Sequence, residues 1–552
     1  MDIEHQILFS VESLIVDENE TPKLDVLECI KLIPRNLAIW YGLAIANYTQ
    51  DDDIRVQLET LQFGPEVKRF VEAVLATKQF DEKYILCKPQ TGLEILKYAF
   101  SIPKEAYISG SKAPFPLLAS ILIINSRLLA NNAHWQDNSI SRSSKLIRSK
   151  GYEIDERVPI FATIFRMFCL LYFLEQSHNN KWAILRDALV VDLRCQTLRE
   201  YFRGILDVLD RLTIGPKKKH QVLTVKEDNY ILQNFIGPLS ICVDDVVQLQ
   251  DNRDYTFFKT HPFVQFNHNE YGIINNTFVA NQLYSSLKFR MKTIGEETEI
   301  IKDFFASFNK AFVEKYLLNE VLNCAFGQNS GAIYLNEDDC ESRIKEYNYA
   351  HNSNFSTNGL PDAYIRNNNK ILLIECKGKT VSSNAIEDEN TFIADVNKDI
   401  VNKKKGTGQL ITYCELVKKG MFVCDENIPS NCKIYPLLVV DDAKLCSDGL
   451  NRYAIQWKEK NGTSYDNIYP FTVLDMDTLI LIADLIKNGE LDLYEQIEQY
   501  HKYIAGEYDN YSLTEILHYS DISFSAYIMD KFETRSPAII NDWLEALYAN
   551  RQ

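Results

Sequence analysis

The sequence predicts a multidomain α+β protein with a mostly helical N-terminal region, then an α/β domain, then a helical C-terminal end. The chain has 552 residues, which suffices for about three to four domains of ordinary size. Apolar residues recur at helical spacing through the first 215 residues, whereas short apolar strands alternate with helices from about residue 296. Glycine and proline are scarce, which excludes a collagenous, low-complexity or largely disordered chain.

The overall charge and the cysteine pattern exclude further classes of protein. Asp and Glu outnumber Lys and Arg by 76 to 59, and the net charge of −17 argues against a histone-like protein that coats nucleic acid through bulk charge. A nucleic-acid enzyme with a locally basic cleft remains compatible with it. The twelve cysteines contain no CxxC pair, so we expect reduced core thiols of a cytoplasmic protein rather than zinc fingers.

No segment of the sequence predicts a membrane partner. The N-terminus lacks the pattern of a signal peptide. The longest apolar stretch, Ile160–Leu174, is shorter than the roughly 20 residues of a membrane span and carries Arg166 near its middle. We therefore predict a buried core helix there and a cytoplasmic location.

Composition and periodicity divide the chain into four predicted segments. A polar turn between two short apolar runs predicts a β-hairpin around 263–274. The segments are a helical accessory region at 1–215, a mixed connecting module with the hairpin at 216–295, an α/β domain at 296–445 and a mainly helical extension at 446–552. Within the α/β domain we expect a long helix from Glu296 to about Cys324, strands at 332–335, 362–365, 371–376 and 435–440, and a helical stretch from 384 to 419 that breaks at 406–408.

One strand of this domain ends in charged residues. Four aliphatic residues, Ile371–Ile374, predict a strand buried in the middle of a sheet, and Glu375 and Lys377 follow directly. Because residues i and i+2 of a strand point to the same face, these two side chains lie side by side. Asp362, 13 positions before Glu375, can come from the neighbouring strand. Two carboxylates, with the backbone carbonyl of Cys376 as a further ligand, predict a hard oxygen site for Mg²⁺.

Such a site suits phosphodiester hydrolysis. Asp362 and Glu375 are expected to hold the metal, which polarises the phosphate and lowers the pKa of water. Lys377 is expected to orient that water and to stabilise the developing negative charge. The alternative is that Glu375 and Lys377 form a simple ion pair at the end of a strand.

The motif Pro361-Asp362 followed by Glu375-Cys376-Lys377 resembles the signature of the PD-(D/E)XK nuclease superfamily. The resemblance covers about residues 296–445 and implies a restriction-endonuclease-like fold. It also implies an active-site glutamate on the first helix, for which Glu314 is the best match and Glu320 a neighbouring candidate. A solvated helix position is the alternative for Glu314.

A second motif, Gln409 to Tyr413, resembles the Q-x-x-x-Y motif of RecB-like members of this superfamily. Residues four apart share one face of a helix, and the resemblance implies that this face borders the active site and the DNA. Ordinary packing is the alternative. Residues 361–420 carry ten Lys or Arg against eight Asp or Glu, so Lys379 and Lys405 are expected to contact DNA phosphates. A solvated helix end is equally compatible with Lys405.

The resemblance implies a Mg²⁺-dependent nuclease acting on DNA, with Mn²⁺ as a substitute, and products with 5′-phosphate and 3′-hydroxyl ends. By analogy it suggests prokaryotic anti-phage defence or restriction, with the N-terminal region acting as a sensor or binding a second copy or a partner protein. A catalytically inactive nuclease-fold protein that binds nucleic acid or serves as a scaffold is the alternative. The late cysteines are too widely spaced for an iron–sulfur cluster, and the chain lacks a phosphate-binding loop for ATP.

Overall fold

A computed structural model describes residues 6–8, 25–48, 53–76, 83–107, 114–131, 160–178, 180–213, 222–249, 255–327, 331–357, 359–382, 384–385, 388–461, 467–506, 521–533 and 538–548. The predicted break in the helical pattern at 215–220 lies outside these residues. The described part is an α+β protein, as the sequence predicts.

Helices account for most of the described elements. The strands, in chain order, are β1 Gln6–Leu8, β2 Lys83–Ile85, β3 Val222–Thr224, β4 Ser240–Cys242, β5 Phe263–Gln265, β6 Glu270–Ile273, β7 Ile333–Asn336, β8 Ala363–Asn367, β9 Lys370–Lys377, β10 Lys433–Val440 and β11 Thr472–Asp475. The first twelve helices are α1 Val26–Lys31, α2 Arg35–Ala46, α3 Ile54–Thr60, α4 Pro65–Ala76, α5 Pro89–Ser101, α6 Pro114–Asn131, α7 Ile160–Gln176, α8 Lys181–Asp192, α9 Leu198–Thr213, α10 Tyr230–Ile236, α11 Thr256–Thr260 and α12 Asn276–Glu297. The remaining helices are α13 Phe304–Phe308, α14 Leu318–Phe326, α15 Glu337–His351, α16 Glu389–Asp399, α17 Thr407–Lys418, α18 Leu450–Asn461, α19 Met476–Lys487, α20 Leu493–Ile504, α21 Phe524–Lys531 and α22 Ala538–Tyr548, and a π-helical segment, Asn309–Leu317, joins α13 to α14.

Contacts between residues divide the chain into two compact units. The first comprises Met1–His134, Ser149–Ile160 and Val190–Leu287, and the second comprises Trp135–Arg148, Phe161–Leu189 and Lys288–Gln552. The second unit therefore takes in residues 161–189, which lie in the sequence segment predicted to be accessory. The segment limits at 215, 295 and 445 remain predictions about where the domains begin and end.

The first unit contains a helical core and two small sheets. Helices α2 and α5 share a hydrophobic core to which α1, α4 and α6 contribute. β1 and β2 form a parallel pair, and the other sheet has the order β3-β6-β5-β4. The predicted hairpin is confirmed as β5 and β6, which pair antiparallel with Phe263 opposite Ile273.

The second unit is built on a five-stranded sheet of order β11-β10-β9-β8-β7. β7, β8 and β9 pair antiparallel in succession, whereas β9, β10 and β11 run parallel. β9 and β10 are buried along nearly their whole length, which explains their continuous aliphatic sequences. Because parallel strands end at the same edge of a sheet, the last residues of β9, β10 and β11 lie along one edge, where β8 begins.

The predicted helix from Glu296 to Cys324 is wrong at its start. α12 continues to Glu297, and the next helix begins only at Phe304. Between them Glu299 has a φ of 56°, and the Asp303 carboxylate accepts a hydrogen bond from the Ala306 N–H as an N-cap. The apolar spacing runs through this break, so the sequence pattern did not mark it.

The predicted core helix is confirmed as α7, in which every residue from Ala162 to Leu171 is buried. Among the described residues no single helix is long and apolar enough to cross a membrane. α7 and α8, which are bent by 114° from each other, reach that length and composition only when they are taken as a pair.

Candidate active site

The register of β8 and β9 brings two acidic residues together. Ala363 pairs with Ile374, so Asp362 and Glu375 are the next residues on these antiparallel strands. The Asp362 Oδ2 atom accepts a hydrogen bond from the N–H of Cys376, with an N···O distance of 2.6 Å. The Glu375 side chain is buried, with 2% of the residue exposed. The two carboxylates thus converge at the edge of the sheet where β9 ends.

Two polar groups, Lys377 and Tyr413, contact Glu375, and Gln409 contacts the first of them. The Lys377 ammonium lies 2.5 Å from Glu375 Oε1 and 3.1 Å from Gln409 Oε1. The Tyr413 hydroxyl lies 3.2 Å from Glu375 Oε2. Glu375 and Lys377 therefore do form an ion pair, but one that is enclosed by the side chains of α17. Because an ion pair in this setting is largely removed from water, its geometry is fixed by hydrogen bonds rather than by solvent.

The π-helical segment Asn309–Leu317 supplies Glu314. Its Oε1 atom accepts a hydrogen bond from the Gly378 N–H at 3.2 Å, directly after the Glu-x-Lys motif. Gly378 lies so close to this helix that a Cβ atom there would be 2.7 Å from the Cβ of Asn309. A glycine is therefore required for Glu314 to reach the backbone of the strand end.

Glu320 does not take part in this arrangement. Its carboxyl has a raised pKa because it is buried. Its charge raises the pKa of Tyr316 and Cys324, which places it among those groups rather than at the strand end. Of the two glutamates considered from the sequence, only Glu314 contacts the site.

The ionisation of the site reflects crowded negative charge. Burial raises the pKa of Asp362 well above its ordinary value, and the Glu375 charge raises it further. Burial also raises the pKa of Glu375, although Lys377 opposes this shift. Burial disfavours the Lys377 cation, but the Glu375 carboxylate outweighs that effect and the pKa of Lys377 is raised. The site therefore favours an added positive charge near Asp362.

The two residues of the Q-x-x-x-Y motif contact each other and the site. Gln409 Oε1 accepts a hydrogen bond from the Gly406 N–H at 3.0 Å, at the start of α17. Gln409 Nε2 lies 3.4 Å from the Tyr413 hydroxyl. That hydroxyl also lies 2.8 Å from the carbonyl oxygen of Leu360, just before the Pro-Asp dipeptide. One helix face thereby links both halves of the signature.

The two lysines predicted to contact DNA form a separate cluster. Lys379 and Lys405 lie 3.0 Å and 2.9 Å from the two carboxylate oxygens of Asp399, at the end of α16. Both lysine side chains are about half exposed, whereas Asp399 is buried. Asp399 was not predicted from the sequence, where the only local signal was an acidic residue within a basic stretch.

A small open recess gives access to Asp362. Its lining consists of polar and charged side chains from the Glu314 helix, β7 and the start of α15: Glu314, Lys315, Asn319, Asn336, Glu337, Asp338 and Asp362. Lys315 lies 3.0 Å from both Glu337 and Asp338, so the carboxylates on that side already have a cationic partner.

The donor atoms fit a hard divalent cation that retains water ligands. Within the described residues, no group of three or more His, Cys, Asp or Glu side chains is placed so that it could hold a metal ion. Mg²⁺ does not require such a group, because it commonly binds one or two carboxylates and fills its other positions with water and phosphate oxygens. Asp362 and Glu375 supply two such carboxylates, and their mutual repulsion is what a cation would relieve. The buried Cys376 contributes its peptide, not its thiol, to this edge.

Comparison with known proteins gives no family for the chain. No protein-family model, no curated protein and no solved structure matches it at a significant level.

Proposed function

We propose that the chain is a Mg²⁺-dependent nuclease that hydrolyses phosphodiester bonds of DNA. The observation that supports this proposal most directly is that Asp362, Glu375 and Lys377 lie together where β9 ends. Gln409 contacts Lys377, and Tyr413 contacts Glu375. Two carboxylates and one ammonium group, close together and partly removed from water, suit the hydrolysis of an ester that gains negative charge in the transition state.

Each residue has a defined part in this mechanism. Asp362 and Glu375 would hold the cation, which when bound neutralises charge on the scissile phosphate and acidifies water. Lys377 presents an ammonium that is held in place by Glu375 and Gln409, so it can donate to the attacking water or to a phosphate oxygen without reorganisation. Glu314 fixes the backbone at Gly378.

The lysine cluster would bind the substrate away from the reacting bond. Lys379 and Lys405 are exposed enough to contact phosphates near the scissile bond, and Asp399 holds both ammonium groups in one place. Contacts to the phosphate backbone position a nucleic acid and carry no sequence information. We expect these residues to affect the salt dependence of binding rather than the chemical step.

A cleavage assay with the full-length protein tests this proposal. Double-stranded DNA, single-stranded DNA and RNA are incubated with Mg²⁺, with Mn²⁺ and with EDTA. We expect metal-dependent cleavage of DNA that Glu375→Gln abolishes. Asp338→Asn is the control, because that carboxylate lines the recess that leads to Asp362 but is exposed and paired with Lys315. DNA binding without cleavage under every condition would refute the nuclease and favour the inactive binding protein.

A further inference from the structure

Arg166 is a buried cation in the middle of the most apolar helix of the second unit. The residue is 5% exposed, and the neighbouring residues of α7 from Ala162 to Leu171 are buried as well. A buried charge is costly unless it is paired. Its position in the sequence, far upstream of Asp362, gave no reason to connect it with the catalytic motif.

The partners of Arg166 lie at the edge of the sheet where the proposed site is located. Its guanidinium contacts the carboxylate of Asp441, and Nη2 donates to the Asp441 carbonyl oxygen at 3.1 Å. Its Nε atom lies 2.6 Å from Asp477 Oδ1. Asp441 directly follows β10, and Asp477 lies in the first turn of α19, directly after β11. The planar guanidinium therefore joins the ends of two parallel strands.

Asp441 and its neighbour Asp442 in turn hold the residues that follow Glu375. The Asp441 N–H donates to the carbonyl oxygen of Lys377 at 3.0 Å. The Asp442 carboxylate accepts a hydrogen bond from the Val381 N–H at 2.9 Å. The segment from Lys377 to Val381 is thus fixed at both ends by two consecutive residues, and Arg166 fixes the first of them.

The same helix also supports the segment that carries Glu314. The Phe173 ring lies 5.5 Å from that of Phe312 and 5.4 Å from that of Tyr316, on either side of Glu314 in the π-helical segment. Glu314 and the Lys377–Val381 segment meet at the hydrogen bond to Gly378. α7 therefore packs against the π-helical segment that carries Glu314. Through Arg166 and Asp441 it also holds the segment that carries Gly378, the other partner in this hydrogen bond.

We propose that Arg166 is a positioning residue of the active site, acting through Asp441 on the segment Lys377–Val381. The proposal rests on the nuclease function proposed above. A displacement of about 1 Å at a catalytic group can cost about 10²-fold in rate. We expect loss of the Arg166–Asp441 pair to lower kcat by about that factor and to raise the KM for DNA much less, because Lys405 lies outside this segment and Lys379 is held by Asp399 as well.

The test uses the double variant Arg166→Met with Asp441→Asn. Arg166→Met alone would leave two largely enclosed carboxylates without this cation and can unfold the protein. The double variant removes the charge at Arg166 together with one carboxylate, and it keeps the backbone N–H at position 441 that bonds to Lys377. The matched control is Arg366→Met with Asp425→Asn, which removes another Arg–Asp pair, with 2.5 Å between Nε and Oδ2. In this pair the partly buried arginine lies on β8 and the aspartate is buried. That pair lies toward the opposite end of β8 from Asp362.

Two readouts separate positioning from stability. Single-turnover cleavage at saturating enzyme gives the chemical rate, and hydrogen exchange monitored by mass spectrometry gives the protection of the Gly378–Val381 amides. We expect slower cleavage and faster exchange in this segment for the Arg166 double variant, and neither change for the Arg366 double variant. A folded Arg166 double variant with wild-type exchange there would overturn the proposal, as would equal effects from both double variants. A wild-type protein that cleaves nothing would refute the nuclease function, and the exchange result would then decide the positioning role alone.

Discussion

Replacing Asp362 by asparagine tests the metal site and its electrostatics together. The asparagine side chain retains an oxygen that can accept the hydrogen bond from the Cys376 N–H, but it carries no charge. Because burial and the Glu375 charge raise the pKa of Asp362, its carboxylate is unfavourable in the metal-free fold. We therefore expect Asp362→Asn to increase the free energy of unfolding of the metal-free protein and to abolish cleavage.

The size of the effect follows from binding linkage. A ligand that binds only the folded state at 100 times its Kd stabilises that state by about 2.7 kcal/mol. Each kcal/mol shifts the Tm by about 2–4 °C in a domain of 150–250 residues. Wild-type protein in saturating Mg²⁺ should accordingly melt several degrees higher than in EDTA, and Asp362→Asn should lose this difference. Scanning calorimetry with Mg²⁺, with Mn²⁺ and with EDTA measures it, and Asp338→Asn should behave as the wild type.

The pH dependence of stability tests independently whether the Asp362 charge destabilises the metal-free protein. An Asp whose pKa is raised in the folded state carries its cost above that pKa, and the cost is relieved as the pH falls through it. Wild-type protein in EDTA should therefore gain stability relative to Asp362→Asn on acidification from neutral pH. Equal stabilisation of both proteins by Mg²⁺ would show that Asp362 is not a ligand. A lower Tm of Asp362→Asn in EDTA would contradict the account of charge repulsion.

Three further substitutions test other groups in the second unit. Lys377→Met should lower the single-turnover cleavage rate by about 10²–10³-fold. Lys379→Met should only weaken DNA binding and reduce its salt dependence. Equal losses of cleavage rate in the two variants would contradict the role of Lys377. Tyr413→Phe removes the hydroxyl that lies 3.2 Å from Glu375, so both the cleavage rate and the stability should fall. The stability should fall by about 1–3 kcal/mol, because the one proton of this hydroxyl is lost to whichever acceptor it serves, Glu375 or the Leu360 carbonyl. An unchanged rate would show that this contact does not position Glu375. Burial raises the pKa of Asp477 from 3.8 to about 6, so its charge lowers the stability of the folded protein by up to about 3 kcal/mol above that pH. Asp477→Asn should therefore stabilise the protein more at pH 7.5 than at pH 5, as measured by urea unfolding. An equal effect at both pH values would contradict this expectation.

Some features of the fold and site followed from short-range patterns in the sequence. The aliphatic run Ile371–Ile374 identified a buried strand, and the period of two placed Glu375 and Lys377 on one face, where they lie 2.5 Å apart. The spacing of four between Gln409 and Tyr413 predicted one helix face, and these side chains contact each other. Such patterns are readable because they depend on the geometry of one element.

Other features were not readable, because they depend on how distant elements pack. The apolar spacing continued across the break between α12 and α13, and only the positive φ of Glu299 and the cap at Asp303 separate the two helices. The choice between Glu314 and Glu320 likewise depended on which side of the helix faces β9. The π-helical segment changes the angle between Glu314 and Glu320 around the helix axis, and a regular α-helical period does not predict this change.

The sequence alone determined the strand that carries Glu375 and Lys377, the acidic partner one hairpin away and the polar face of the helix that follows. Only the tertiary structure determined the partners of the buried charges. Arg166 pairs with Asp441 and Asp477, which lie 275 and 311 positions further along the chain. Periodicity encodes which face of an element is buried, but the low dielectric of the interior makes a charge depend on whichever opposite charge the packing brings beside it.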